Sequence, residues 1–224
     1  MISVVTATLN EAESVPELAR RLRAALRGYE HELILVDDSS PDGTAEVARR
    51  HFDRVIVMRE AGQTGCLLEG VRAARGEVVV TIDADLENPP ELVPALAEAV
   101  LRLGCDVASA SRRLIPRPAE VIASAALGRL LGVRDLFSNF RAFRRSLLEG
   151  HELVMGETFG CELLAAARAR GARVCDVLYS PPPRRARPRV GGALRANLRA
   201  SLAATKCGLY YLWAAWSGDL LPQL

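Results

Sequence analysis

Apolar positions in the first half of this chain come in short unbroken blocks separated by longer segments of mixed polarity. Ile2–Thr8 is one such block, and Glu32–Val36, Arg54–Met58, Glu77–Ile82 and Asp106–Ser111 are others. Blocks of this length, rich in β-branched residues and without strict alternation, predict strands buried on both faces. The intervening segments carry a helical period. In Glu13–Leu26, Val15, Leu18, Leu22 and Leu26 recur at helical spacing, and Pro16 is tolerated in a first turn. Helices are also predicted from Thr44, as cap, to Phe52, over Gly62–Arg75, and over Pro89–Leu103. Five strands alternating with four helices predict an α/β fold with a mostly parallel central sheet and helices on both faces.

The pattern weakens after Arg113. Pro116 and Pro118 mark a break, followed by an amphipathic helix over Ala119–Leu131, a short strand over Leu136–Phe143, a helix over Gly160–Ala169 and a strand over Arg173–Tyr179. A proline- and arginine-rich loop spans 180–192. Residues 1–192 read as one domain and 193–224 as an amphipathic helical tail. In that tail Leu194, Leu198, Leu202, Leu209, Trp213 and Trp216 fall near one helical face. Its fully apolar run, Cys207–Trp216, is too short to span a bilayer. Two placements remain open for it, in a membrane interface or packed on the domain or a partner.

Composition narrows this little. The chain has 224 residues, half of them hydrophobic, and a net charge of +2. The near balance hides a basic stretch from Arg184 to Arg199 that contains no acid. Five scattered cysteines and three distant histidines, with no C-x-x-C, predict neither a zinc site nor a disulfide framework, and a cytoplasmic setting is expected. The opening residues run directly into a strand without a leader pattern.

Chemistry concentrates where the block Val78–Ile82 stops at Asp83 and Asp85, with Glu87 two residues on. If the chain stays extended, alternate residues face the same way and the three acids share one side. The carboxyl ends of parallel strands are where open α/β sheets bind ligands. Hard oxygen donors there suit Mg²⁺ or Mn²⁺ that also grips phosphates. Two more polar loops, Thr8-Leu9-Asn10-Glu11 and Asp37-Asp38-Ser39-Ser40, end the first two strands at that same edge. Neither G-x-G-x-x-G nor G-x-x-x-x-G-K-[ST] occurs, which removes dinucleotide and P-loop readings and leaves nucleotide-sugar or nucleotidyl chemistry.

Val4–Glu11, Val36–Thr44 and Asp83–Pro90 resemble the motifs of family 2 glycosyltransferases with the GT-A fold, and more narrowly those of dolichol-phosphate mannosyltransferases and related polyprenyl-phosphate glycosyltransferases. Gly62-x₇-Gly70, Ser111-Arg112 and Asp135-x-x-Ser-Asn-Phe-Arg141 are similar to further motifs of that family. The resemblance runs from about residue 2 to residue 192. It implies a nucleotide-sugar site formed by Ala7, Leu9, Glu11, Val36, Asp37, Asp83, Ala84, Asp85, Arg112, Arg184 and Arg189. Asp85 and Glu87 become the metal ligands, and Arg112, Ser124 and Arg184 the contacts of an acceptor phosphate, with Asp85, Arg112 and Arg184 central to catalysis. Glu87 stands where the family usually has Gln, Ala7 where it has Pro. Arg184–Arg189 departs from the usual Arg-Ala-Gly-x-Ser-Lys loop while keeping its positive charge.

The reaction implied by the resemblance is an inverting transfer of mannose or glucose from a GDP- or UDP-sugar to a polyprenyl or dolichyl phosphate. It would take place at the cytoplasmic face of a membrane, through peripheral contact or a membrane partner protein, with no role for nucleic acid. The acceptor phosphate is already anionic and requires orientation by arginines rather than a general base. A family 2 enzyme acting on a sugar hydroxyl is the first alternative, and would need a carboxylate base such as Asp135 or Glu157. Asp135 is more simply a turn or loop anchor. A non-catalytic sugar-nucleotide-binding subunit is the second alternative, against which Asp83, Asp85 and Arg112 speak. A nucleotidyltransferase lacks its usual glycine-rich first loop here.

Overall fold

The computed structural model describes residues 1–115, 118–148 and 159–181, together with positions 202, 205, 206, 208 and 209. Seven strands form one sheet: β1 (Ile2–Thr8), β2 (His31–Asp37), β3 (Arg54–Val57), β4 (Val78–Thr81), β5 (Val107–Arg112), β6 (Arg141–Arg144) and β7 (Val174–Tyr179). Their order is β3-β2-β1-β4-β6-β5-β7. β6 runs antiparallel to β4 and β5, and the other neighbouring pairs are parallel. The expected α/β architecture with a mostly parallel sheet is therefore present.

Alternate strand residues point to opposite faces, and each face has its own core. Val4, Leu33, Leu35, Val78 and Val80 pack with α1 (Val15–Ala25) and α4 (Val93–Leu101) on one side. Val5, Ile34, Val36 and Val79 pack with α3 (Gly62–Ala73) on the other, where α7 (Phe159–Ala169) also lies. A short α2 (Thr44–Ala48) follows β2. Each fully buried Leu, Ile or Val contributes about 1.5–3 kcal/mol of transfer free energy. Gly70 lets α3 approach the sheet: a Cβ there would overlap Val5 Cγ1 and press on Val36 Cγ2.

The amphipathic stretch expected over Ala119–Leu131 is interrupted. It comprises α5 (Pro118–Ala123), a π turn at Ser124–Gly128 and α6 (Arg129–Leu131). The cysteine expectation is corrected. Cys105 and Cys175 form a disulfide, with Cα atoms 5.9 Å apart, and Cys161 is disulfide-bonded as well. The 70-residue separation conceals the first pair in the sequence. Parallel pairing of β5 with β7, which sets Val107 opposite Val174, brings the two thiols together. Cys66 is free and buried, and burial pushes its thiol up to about 12.

Candidate active site

Parallel register aligns the carboxyl ends of the strands that carry the polar motifs. Thr8 lies opposite Asp37, and Val5 opposite Thr81, so the acidic loop leaves the sheet beside the last residues of β1. The loops after β1 and β2 are fastened to each other. Asn10 N–H donates to Ser40 Oγ at 2.9 Å, Glu11 N–H to Thr44 Oγ1 at 2.9 Å, and Ala12 N–H to Asp42 Oδ2 at 3.2 Å. Asn10 and Ser39 adopt positive φ, 59° and 55°, which short polar residues tolerate better than branched ones. Thr44, expected to cap a helix, is its first residue, and Gly43 holds the cap position. The Thr44 hydroxyl instead ties the two loops.

Asp37 is buried, and its carboxylate accepts from Thr8 Oγ1 (3.1 Å), Ser40 Oγ (2.5 Å) and Ser40 N–H (2.8 Å). Asp38 accepts the N–H groups of Ala61 and Gly62 at 2.9 and 3.0 Å, fixing the start of α3. Ala7 is half-buried and Leu9 exposed at this edge, while the Val36 side chain is fully buried beneath Gly70. Glu11 is half-buried and accepts from Ser14 Oγ at 2.8 Å.

The extended run expected through Asp83, Asp85 and Glu87 does not persist. β4 ends at Thr81, and residues 84–85 form a turn. Asp85 Oδ1 accepts the Glu87 N–H at 2.9 Å, and Leu86 between them has φ of 62°. A carboxylate that bonds its own backbone two residues on competes with the extended chain, and here it wins. Ala84 is buried, Asp85 exposed and Glu87 half-buried. Asp83 accepts from Gln63 Nε2 at 2.9 Å and from Asn88 Nδ2 at 3.2 Å. Burial, then the Asp85 charge, raise the Asp83 carboxyl to about 7.

Arg112 extends from the end of β5 into the same region. Its Nε and Nη2 donate to Asp135 at 2.5 and 3.2 Å, and Nη2 also meets Glu120 at 3.1 Å. Asp135 and Glu120 are both buried. Burial opposes the Arg112 charge, but the Asp135 carboxylate outweighs it and raises the guanidinium. The charge of Arg112 in turn acts on Asp83. Ser124, expected among the acceptor-phosphate contacts, is buried with its Oγ accepting the Leu136 N–H at 3.1 Å. It thereby supports the loop that carries Asp135. Arg184, Arg189 and Glu157 lie outside the described residues.

The structure thus brings Asp83, Asp85, Glu87 and Arg112 into one electrostatic neighbourhood beside the Ala7–Glu11 and Asp37–Ser40 loops. Sequence reasoning missed Gln63, Asn88, Glu120 and Tyr179, whose contacts bridge distant segments. Asn88 had a signal, since it stands in the acidic motif itself. Among the described residues no group of three His, Cys, Asp or Glu side chains is placed to hold a metal by itself. Asp85 and Glu87 are nevertheless a fitting donor set for a hard cation that takes one or two carboxylates and completes its shell with phosphate and water.

A mostly parallel sheet with acids at its carboxyl edge is the architecture of the GT-A fold, and the solved structures it resembles are glycosyltransferases of that fold. The sequence profile of glycosyl transferase family 2 matches residues 3–151, and the chain belongs to that family. It is 35% identical over 171 residues to a dolichol-phosphate mannosyltransferase of Pyrococcus furiosus, covering 68% of this chain and 48% of that protein. It is 38% identical over 167 residues to an undecaprenyl-phosphate 4-deoxy-4-formamido-L-arabinose transferase of Pseudomonas paraeruginosa, covering 66% and 48%. The chain spans about half the length of these relatives. Among solved structures, glucosyl-3-phosphoglycerate synthase of Mycobacterium tuberculosis, in complex with Mn²⁺, UDP and phosphoglyceric acid, superposes with a TM-score of 0.73. Its identity is 28%, over 93% of this chain and 78% of that one.

Proposed function

We propose that this chain transfers a hexose from a nucleoside-diphosphate sugar to a polyprenyl phosphate, with inversion at the anomeric carbon. The observation that carries the reading is the meeting of Asp83, Asp85 and Glu87 with Arg112, itself held by buried carboxylates, at one sheet edge. The names of the two curated relatives, both polyprenyl-phosphate-type transferases, support the acceptor class. Asp85 and Glu87 hold Mg²⁺ or Mn²⁺ in this reading, and the ion offsets charge on the departing diphosphate when bound. Asp83 faces the donor, and the loops of Ala7–Glu11 and Asp37–Ser40 receive the nucleoside. Arg112, with Arg184 and Arg189 of the basic segment, orients the phosphates. The acceptor phosphate is its own nucleophile, so no carboxylate base is required.

Association with a membrane surface belongs to the same proposal. No helix among the described residues is long and apolar enough to cross a membrane. The exposed face formed by Val121, Ile122, Ala125, Ala126, Arg129 and Leu130 is apolar with a basic member. Such a face suits the headgroup boundary. Leu202 and Leu209 of the tail are exposed as well, and Gly208 lies against Leu127.

A second reading rests on the likeness to glucosyl-3-phosphoglycerate synthase over 93% of the chain: transfer to a hydroxyl of a small phosphorylated acid. A donor panel of GDP-mannose and UDP-glucose with Mn²⁺, and UDP as the sugar-free control, tests the common core of both. Transfer or hydrolysis of one sugar nucleotide, lost in Asp85→Ala, is the expected result. Equal turnover by Asp85→Ala would overturn the metal–diphosphate assignment.

A further inference from the structure

Asp83 is held from two sides by neutral amides, and one of those amides is itself oriented. Gln63 Nε2 donates to Oδ1 at 2.9 Å, and Asn88 Nδ2 to Oδ2 at 3.2 Å. Asn88 Oδ1 then accepts the Tyr179 hydroxyl at 2.6 Å across 91 residues of sequence. Both Asn88 and Tyr179 are buried. The Asp83 carboxylate only accepts, so it draws the Asn88 nitrogen toward itself, and the Tyr179 hydroxyl, donating to the amide oxygen on the other side, holds that orientation. The opposite orientation would set the Asn88 oxygen against the negative charge of Asp83. Tyr179 is fixed in turn: its ring stands edge-on to Phe140, with centroids 6.2 Å apart, and its carbonyl accepts the Arg113 N–H at 2.9 Å.

From this we infer that Tyr179 and Asn88 form a positioning relay that aims the Asp83 carboxylate at the donor nucleotide. Tyr179 stands at the end of β7 and pairs with Arg112 in the β5–β7 register. The relay therefore joins the strand pair that presents Arg112 to the acidic loop after β4. Neither residue touches reacting atoms; each acts through Asp83. The inference rests on the reading that Asp83 faces the donor.

The test uses Tyr179→Phe, which keeps the ring against Phe140 and removes only the hydroxyl, together with Asn88→Ala and the double variant. Calorimetric titration with UDP and with GDP, each with Mn²⁺, reads nucleotide affinity. Losing one neutral hydrogen bond from the relay is expected to weaken binding of the preferred nucleotide about 5- to 10-fold in Tyr179→Phe. The double variant is expected within about twofold of Asn88→Ala alone, because one relay is broken only once. The donor KM should rise while the acceptor KM stays within about twofold, a split that general loosening of the fold would not produce. Unchanged affinity in Tyr179→Phe, or additive losses in the double variant, would overturn the relay alone. Failure of the parent chain to bind either nucleotide would overturn the donor reading, and the relay with it.

Discussion

Replacing Asp135 with Asn removes one negative charge from a site where it is fully buried and bonded on both oxygens. Asp135 receives Arg112 through Nε and Nη2 at 2.5 and 3.2 Å, accepts the Phe137 N–H at 3.2 Å, and draws on the charge of Arg141. Arg141 is itself fully buried and surrounded by carbonyls of Leu136, Gly160 and Asp135. Breaking a buried pair by removing one partner costs about 3–5 kcal/mol. Glu120 remains at 3.1 Å and still compensates Arg112, so the expected loss is about 2–4 kcal/mol. Urea denaturation monitored by circular dichroism measures it. At about 2–4 °C per kcal/mol for a chain of this size, the melting temperature should fall by roughly 4–16 °C. Function discriminates further. If Asp135 acts by holding Arg112, the folded fraction of Asp135→Asn loses less activity than Arg112→Ala, and the double variant is no worse than Arg112→Ala. A destabilisation below about 1 kcal/mol would refute the assignment of Asp135 as the anchor of Arg112. Near-total loss in well-folded Asp135→Asn, beyond that of Arg112→Ala, would make Asp135 a general base and favour a hydroxyl acceptor.

Asp83 is raised to about 7 by burial and by Asp85, above an unfolded value of about 3.9, so the native state holds the extra proton between those limits and loses stability as pH rises through them. In chelator-containing buffer Asp83→Asn should therefore be more stable than the parent at pH 8, by on the order of 2 kcal/mol after its weakened bonds to Gln63 and Asn88 are counted, and the advantage should vanish below about pH 4; a gain independent of pH would contradict it. Gly70→Ala should destabilise by about 1–3 kcal/mol in a thermal melt, because the added methyl overlaps Val5 under α3, and an unchanged melting temperature would show that α3 does not seat on β1 as described.

The strand blocks and the acidic edge were legible because burial on two faces leaves an unbroken apolar run, and its end is abrupt. β1 occupies Ile2–Thr8 as expected, and β5 and β7 differ from expectation by one residue at their ends. Sequence spacing is blind to whatever a crossover brings together. Cys105 meets Cys175 and Tyr179 meets Asn88 only because β7 lies beside β5 at the far side of the sheet. The bend between Asp83 and Glu87 was also hidden. Alternation presumes an extended chain, and the Asp85 side chain captures the Glu87 N–H instead. Asp135 was readable as a loop anchor, but not that its load is Arg112.

Whether a phosphate or a hydroxyl receives the sugar is decided by a single acceptor comparison. The chain is incubated with Mn²⁺, the donor selected from the panel, and either a polyprenyl phosphate or the polyprenol of the same length in vesicles, with phosphoglyceric acid as a third acceptor. Sugar should appear on the polyprenyl phosphate, with none on the alcohol or the phosphoglyceric acid. Transfer to either hydroxyl acceptor, with the polyprenyl phosphate left unmodified, would show that the acceptor assignment is wrong.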